Sequence, residues 1–208
     1  MNRASFLTRV RHALGRSEGD PVAPPPPPAP AELVAPTVAA ADPAGVVDHF
    51  VARCAANAVE LRRAPDVDAA VALAGAWLRE LGASAVADAS SLAAAALAGS
   101  GLTRLAADAA DVGVTRAWRG VAETGTVVLR SEDGRSAGLL PPTHLALLVT
   151  ADLRAGLTEL YAELAAVGEG GLPAQLVQVT GPSRTADIEV TLVTGVHGPG
   201  RVAVLLIG

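Results

Sequence analysis

Residues 175–207 read QLVQVT GPSRTADIEVTLVTGVHGPG RVAVLLI. Its ends, 175–180 and 201–207, are strand-like runs. Between them, positions 181–200 gather one arginine, one histidine, two carboxylates and four glycines. Polar residues held between two buried strands are expected on an exposed rim of the sheet, where open α/β sheets bind ligands. Asp-containing 186–189, directly after the Ser183-Arg184-Thr185 segment, reads as the start of a helical turn.

A second polar island, Glu123-Thr124-Gly125-Thr126, interrupts apolar sequence between Val121-Ala122 and Val127-Val128-Leu129. The two islands are expected to face each other in one pocket at one end of a central sheet. Upstream, strand and helix signals alternate. Asp42-Pro43 reads as an N-cap with proline in the first turn. Val46, Val47, Phe50 and Cys54 then keep a helical stripe, so Cys54 reads as a buried structural thiol. A short strand is expected at 57–61, a helix opened by Pro65-Asp66, a strand at 84–87 and a helix capped by Ser90 or Ser91. Strands follow at 111–115, 126–130 and 144–149, the last apolar enough to be covered on both faces. Asp152 reads as the cap of a helix with Leu153, Leu157, Leu160, Tyr161 and Leu164 inward. This alternation is the pattern of βαβ units: an α/β fold, a Rossmann-like, mostly parallel sheet with helices on both faces.

The chain has 208 residues, half of them apolar, with 2% aromatics, so its core rests on Ala, Val and Leu. All 16 basic side chains are arginine, and the net charge is −5. With no basic stripe in the body of the chain, nucleic-acid binding is not expected. One cysteine excludes an intrachain disulfide framework and a multi-cysteine metal or iron–sulfur site built by this chain alone. No apolar run reaches the length of a membrane span and no secretory signal is visible, so a cytoplasmic location is expected.

Three segments are expected. Residues 1–19 hold a short amphipathic helix with Phe6, Leu7, Val10 and Leu14 on one face and arginines on the rest. Residues 20–41, with the PPPPP run, form a proline-rich spacer of polyproline type. Residues 42–208 form the compact domain.

Candidate chemistry sits in the two islands. Ser183 and Thr185 hydroxyls, backbone N–H groups and the Arg184 guanidinium suit a carboxylate or phosphate. An ordinary alternative is a capped turn in which Arg184 pairs with Asp187 or Glu189. His197, between Gly195-Val196 and Gly198-Pro199, offers a general base, a donor to a ligand or a ligand to a partner's metal; it could also brace its own turn. Glu123 is too costly to bury alone. It reaches a rim, meets Arg184 or Arg116, or accepts N–H bonds from its own Thr-Gly-Thr turn, and a nucleophilic carboxylate is chemically open. No Walker loop, GxGxxG, nucleophile elbow or Ser-His-Asp arrangement is present.

Four motifs in order, Ala122-Glu-Thr-Gly-Thr126, Leu140-Pro-Pro-Thr-His144, Gly181-Pro-Ser-Arg-Thr-Ala-Asp-Ile-Glu189 and Gly195-Val-His-Gly-Pro199, resemble the lactate utilization protein C family, which carries the LUD domain. The resemblance covers about residues 43–207. It implies a fold of the NagB/RpiA/CoA-transferase-like type and a part in oxidising L-lactate to pyruvate beside iron–sulfur partner proteins. This chain would then be a cluster-free subunit with no cofactor of its own. On that basis Thr124, Gly125, Thr126, Ser183, Arg184, Thr185, Asp187 and Gly198 are candidate binding residues for a small carboxylate or phosphate, with Glu123 and His197 as candidate catalytic groups. The alternative is a stand-alone enzyme of the sugar-phosphate isomerase or acyl-CoA transferase class acting through Glu123.

Overall fold

A computed structural model describes residues 3–17, 42–167, 171–186 and 192–208; the side chains at 3, 133, 185, 186 and 192–194 lie outside that description. The proline-rich segment 20–41 is therefore outside it. The chain divides into two units, Met1–Ala35 and Pro36–Gly208. In the first, α1 spans Arg3–Ala13, with Arg11 and His12 in its last turn, where cations complement the helix dipole. Among the described residues, no helix is long and apolar enough to cross a membrane.

The second unit is built on a six-stranded parallel sheet. Its strands are β1 (Glu60–Ala64), β2 (Ser84–Ala87), β3 (Thr103–Arg104), β4 (Val112–Arg116), β7 (Thr143–Val149) and β12 (Arg201–Ile207), in the order β1-β12-β7-β4-β2-β3. A second sheet holds β5 (Arg119–Val121), β6 (Thr126–Arg130), β8 (Leu153–Arg154) and β9 (Leu176–Val179), in the order β8-β5-β6-β9. The last two strands, β10 (Arg184–Ala186) and β11 (Leu192–Thr194), form an antiparallel pair of their own. The helices of this unit are α2 (Pro43–Ala56), α3 (Val67–Leu81), α4 (Ser91–Ser100), α5 (Ser136–Leu139) and α6 (Leu157–Val167).

Local signals start the helices. Asp42, Asp66 and Ser90 each accept a backbone N–H of the first turn, from Gly45, Ala69 and Ala93. These caps satisfy donors that the helix itself cannot. Burial then sets the layers. Ala203, Leu205 and Ile207 of β12 and Leu145 and Leu147 of β7 face Trp77, Leu78, Ala93 and Ala96 of α3 and α4. The alternate residues, Val202, Val204, Leu206, Ala146 and Leu148, face α2 and the inner side of the second sheet at Val127 and Leu129. The outer side of that sheet, at Val121 and Val128, is covered by Leu160 and Leu164 of α6. The order of layers is helices, parallel sheet, second sheet with α2, then helix.

Some local expectations are corrected. The first strand is Glu60–Ala64 rather than 57–61, because residues 57 and 58 close α2 through bonds from Asn57 and Ala58 N–H to Arg53 and Ala55 carbonyls. Asp152 does not cap a helix. Its carboxylate takes Arg116 at 2.6 Å and Arg119 at 3.0 Å, Leu153 enters β8, and α6 begins only at Leu157. Tyr161 is exposed rather than inward, and its hydroxyl accepts from Gln178. Residues 184–186 are strand, paired with 192–194; past Ala186, the helical turn expected at 186–189 lies outside the described residues.

Candidate functional site

The polar islands meet on the second sheet. Antiparallel pairing of Val127 with Val179 sets Thr126 across from Thr180, the residue that leads into Gly181. The Thr126 hydroxyl lies 2.8 Å from that of Thr180 and 2.7 Å from that of Thr124. Cross-strand threonines commonly bond in this way. The expected meeting at one end of the central sheet is thus shifted: the contact is made at one end of the four-stranded sheet stacked on it.

Asn57 clamps the same place from α2. Its side-chain amide donates to the Thr124 carbonyl at 2.8 Å, and its own carbonyl packs on Gly181, where a Cβ would lie 2.8 Å away. The Thr-Gly-Thr turn is seated on the end of α2. Gly125 has φ +69°, and a Cβ there would come within 2.9 Å of Arg53. Both the left-handed backbone and the close approach require glycine. Cys54 lies beneath this turn, and burial pushes its thiol up to about 12, which marks an inert structural side chain.

From this junction an open cleft of about 370 Å³ is lined by Asn57, Gln178, Thr180, Gly181, Pro182 and Arg184. Arg184 is exposed at its rim. Ser183 then ties the cleft to the 195–200 turn: its N–H donates to the Pro199 carbonyl at 2.8 Å, and its carbonyl accepts from Gly195 N–H at 3.0 Å. On the other side of Ser183, His197 lines a second cleft of about 390 Å³ with Leu139, Leu140, Pro142, Gly195, Val196 and Gly198. The loops carrying these residues enter the starts of β7 and β12. This cleft therefore lies at the amino edge of the parallel sheet, not at the carboxyl edge where open α/β sheets usually bind ligands.

Glu123 lines neither cleft. Its backbone N–H donates to the Ala155 carbonyl, and its carboxylate accepts the Leu157 N–H at 3.4 Å, at the start of α6. A carboxylate at a helix N-terminus is stabilised by the helix dipole, so this contact anchors α6. Of the pairings open to it from sequence, Arg116 goes to Asp152 instead. Thr185 contributes its backbone to β10, while Asp187 and Glu189 lie outside the described residues. Among the described residues, no three His, Cys, Asp or Glu side chains are grouped to hold a metal. Asn57 enters the sequence reading only as the start of the strand expected at 57–61; a lone asparagine ending an amphipathic helix carries a capping signal and nothing of a site.

A network of ion pairs joins the second sheet to α6. Arg119 bridges Asp152 and Glu163, and Arg154 also reaches Glu163 at 3.0 Å. The Arg119 hydrogen bond holds the Glu163 carboxyl below its usual range. This network fixes β5, β8 and α6 to one another, and so fixes the start of α6 beside Glu123.

Lactate utilization protein C of Shouchella clausii is 40% identical over 104 residues, which is 49% of this chain and 45% of that protein. Lactate utilization protein C of Halalkalibacterium halodurans is 42% identical over 106 residues, 49% of this chain and 46% of that protein. The matched stretch thus spans less than half the length of these relatives. A solved structure, the crystal structure of a DUF162 family protein from Deinococcus radiodurans, superposes with a TM-score of 0.57 over 80% of this chain and 99% of the other, at 24% identity, and shows the shared fold. The LUD domain matches residues 96–207, more than half of the sequence, from the middle of α4 to the end of β12. The chain belongs to the LUD domain family.

Proposed function

We propose that the chain serves lactate utilization as a subunit that binds a small carboxylate in the cleft between Asn57, Thr180 and Arg184, beside iron–sulfur partner proteins in the cytoplasm. One observation carries the site: Thr180, bonded to the buried Thr126 of the other island, lines the same cleft as Arg184. Arginine suits a carboxylate because its planar fork gives two parallel bonds. Threonine hydroxyls suit the second polar group of a short hydroxy acid. The names of the relatives support lactate as the acid. Oxidising lactate to pyruvate removes two electrons, and a chain with a single cysteine leaves any cysteine-held cluster to a partner. His197 lines the second cleft, on the other side of Ser183, and is not assigned a step on the acid.

The test is lactate oxidation by the chain reconstituted with its iron–sulfur partners. Arg184→Ala is expected to remove the activity while the circular dichroism spectrum is unchanged, and full activity in that variant would discard the clamp. The reading through Glu123 as a nucleophile is not adopted, because its carboxylate is directed to the start of α6. A covalent adduct trapped on Glu123 would reinstate it.

A further inference from the structure

We infer that the buried Thr126 hydroxyl is a positioning residue for this cleft: it sets the direction in which Thr180 hydrogen-bonds, so that the cleft accepts a 2-hydroxy acid and the corresponding 2-oxo acid alike. The inference rests on the carboxylate reading above and adds a residue that touches no ligand.

The argument is a count of hydrogens. Three hydroxyls, of Thr124, Thr126 and Thr180, are joined by two contacts of 2.7 and 2.8 Å. Each hydroxyl has one hydrogen to donate and lone pairs to accept. Thr126 is 2% exposed, so its hydrogen must go to one of its two neighbours rather than be left unpaired. The other neighbour must then donate to it. Only two ordered arrangements remain. In one, Thr124 donates to Thr126 and Thr126 to Thr180, which leaves the Thr180 hydrogen free to point into the cleft. In the other, Thr180 donates to Thr126 and Thr126 to Thr124, which leaves the Thr180 oxygen to accept from the cleft.

The far end of the row is held. The Thr124 carbonyl takes the Asn57 amide, and Gly125 is pinned against α2. The near end, Thr180, is exposed and lines the cleft. Passing between the arrangements requires only rotation of three O–H bonds, and neither leaves a buried donor unsatisfied. The first presents a donor to the keto oxygen of a 2-oxo acid. The second presents an acceptor to the hydroxyl of a 2-hydroxy acid. In either, the bonds polarise one another and strengthen the terminal contact. A site meant to hold both sides of a two-electron oxidation gains from such a reversible wall.

The experiment is calorimetric titration of the full chain with L-lactate and with pyruvate, alongside thermal unfolding of each variant. The wild type is expected to bind the two acids with dissociation constants within about threefold of each other; a gap above tenfold overturns the reversal. Thr126→Val keeps the shape and removes the hydroxyl, and is expected to weaken both acids about tenfold, the scale of one neutral hydrogen bond. Thr126→Ser is expected to restore both to within about threefold, which a purely structural role of the threonine would not do. If Thr126→Val binds like the wild type while Arg184→Ala binds neither acid, the row has no part in recognition and the carboxylate reading stands alone. If the wild type binds neither acid at tens of millimolar, both fall. Should Thr126→Val fail to fold, Thr180→Val carries the test: about tenfold weakening supports the row, and wild-type affinity overturns it.

Discussion

Acid should unfold this protein through one histidine. His144 lies in the middle of the parallel sheet, fully buried beneath α5, with its Nε2 2.8 Å from the Thr115 hydroxyl. The lid is tight: Gly113 on β4 has no room for a side chain, since a Cβ would stand 1.5 Å from the Ala137 carbonyl oxygen. Burial pushes the imidazole down to about 4 from an ordinary 6.5. Below pH 6.5 the unfolded chain takes up a proton that the folded chain refuses until about pH 4. The unfolded state binds more protons in that window, so stability is complete above pH 6.5 and falls as pH falls. Integrating the difference gives a loss of about 2 kcal/mol between pH 7 and pH 5 and about 3 kcal/mol by pH 4. Urea unfolding at several pH values, for the wild type and for His144→Gln, isolates this group, because the carboxylates contribute equally to both. The variant is expected to be less stable at pH 7 and to lose about 2 kcal/mol less than the wild type on going to pH 5. Parallel pH profiles for the two proteins would refute the assignment.

Three further outcomes follow from the junction around Asn57. Ala58 has φ +59° in the left-handed position that ends α2, so Ala58→Gly is expected to stabilise by roughly 0.5–1 kcal/mol, read from the urea midpoint. Gly125→Ala meets both a left-handed backbone and the Arg53 contact, and is expected to cost about 2 kcal/mol or more and to abolish acid binding in the same titration. Cys54, buried with its thiol held near 12, is expected to react with a disulfide reagent at neutral pH only at the rate of opening, so that urea accelerates labelling in step with unfolding; prompt labelling of the native chain would contradict the burial.

The elements of the fold were legible because their causes are local. Asp42, Asp66 and Ser90 act on N–H groups three residues away, and the apolar stripes of α2 and α3 repeat every turn. The buried strands at 84–87, 126–130, 143–149 and 201–207 announce themselves by composition alone. The motifs around Thr126, Arg184 and His197 were likewise sufficient to point to the family. Asp152 misled for the same reason that the caps succeeded. An aspartate before an apolar stripe looks like a cap, and nothing local reveals that Arg116 and Arg119 will claim it.

What only the tertiary structure decided is the site's surroundings. That the first island meets the strand leading into the second depends on the Thr126–Thr180 bond across 54 positions, and that Asn57 joins them depends on a bond spanning 67. Glu123 is turned away from the cleft by the start of α6, 34 residues on. The existence of a second sheet over the first, and the placing of His197 at the amino edge, are likewise products of packing. Periodicity and capping are written within a few residues, because they come from one backbone turn. The direction of a polar side chain is settled by whichever distant partner leaves the fewest groups unsatisfied, and that partner exists only once the chain has closed on itself.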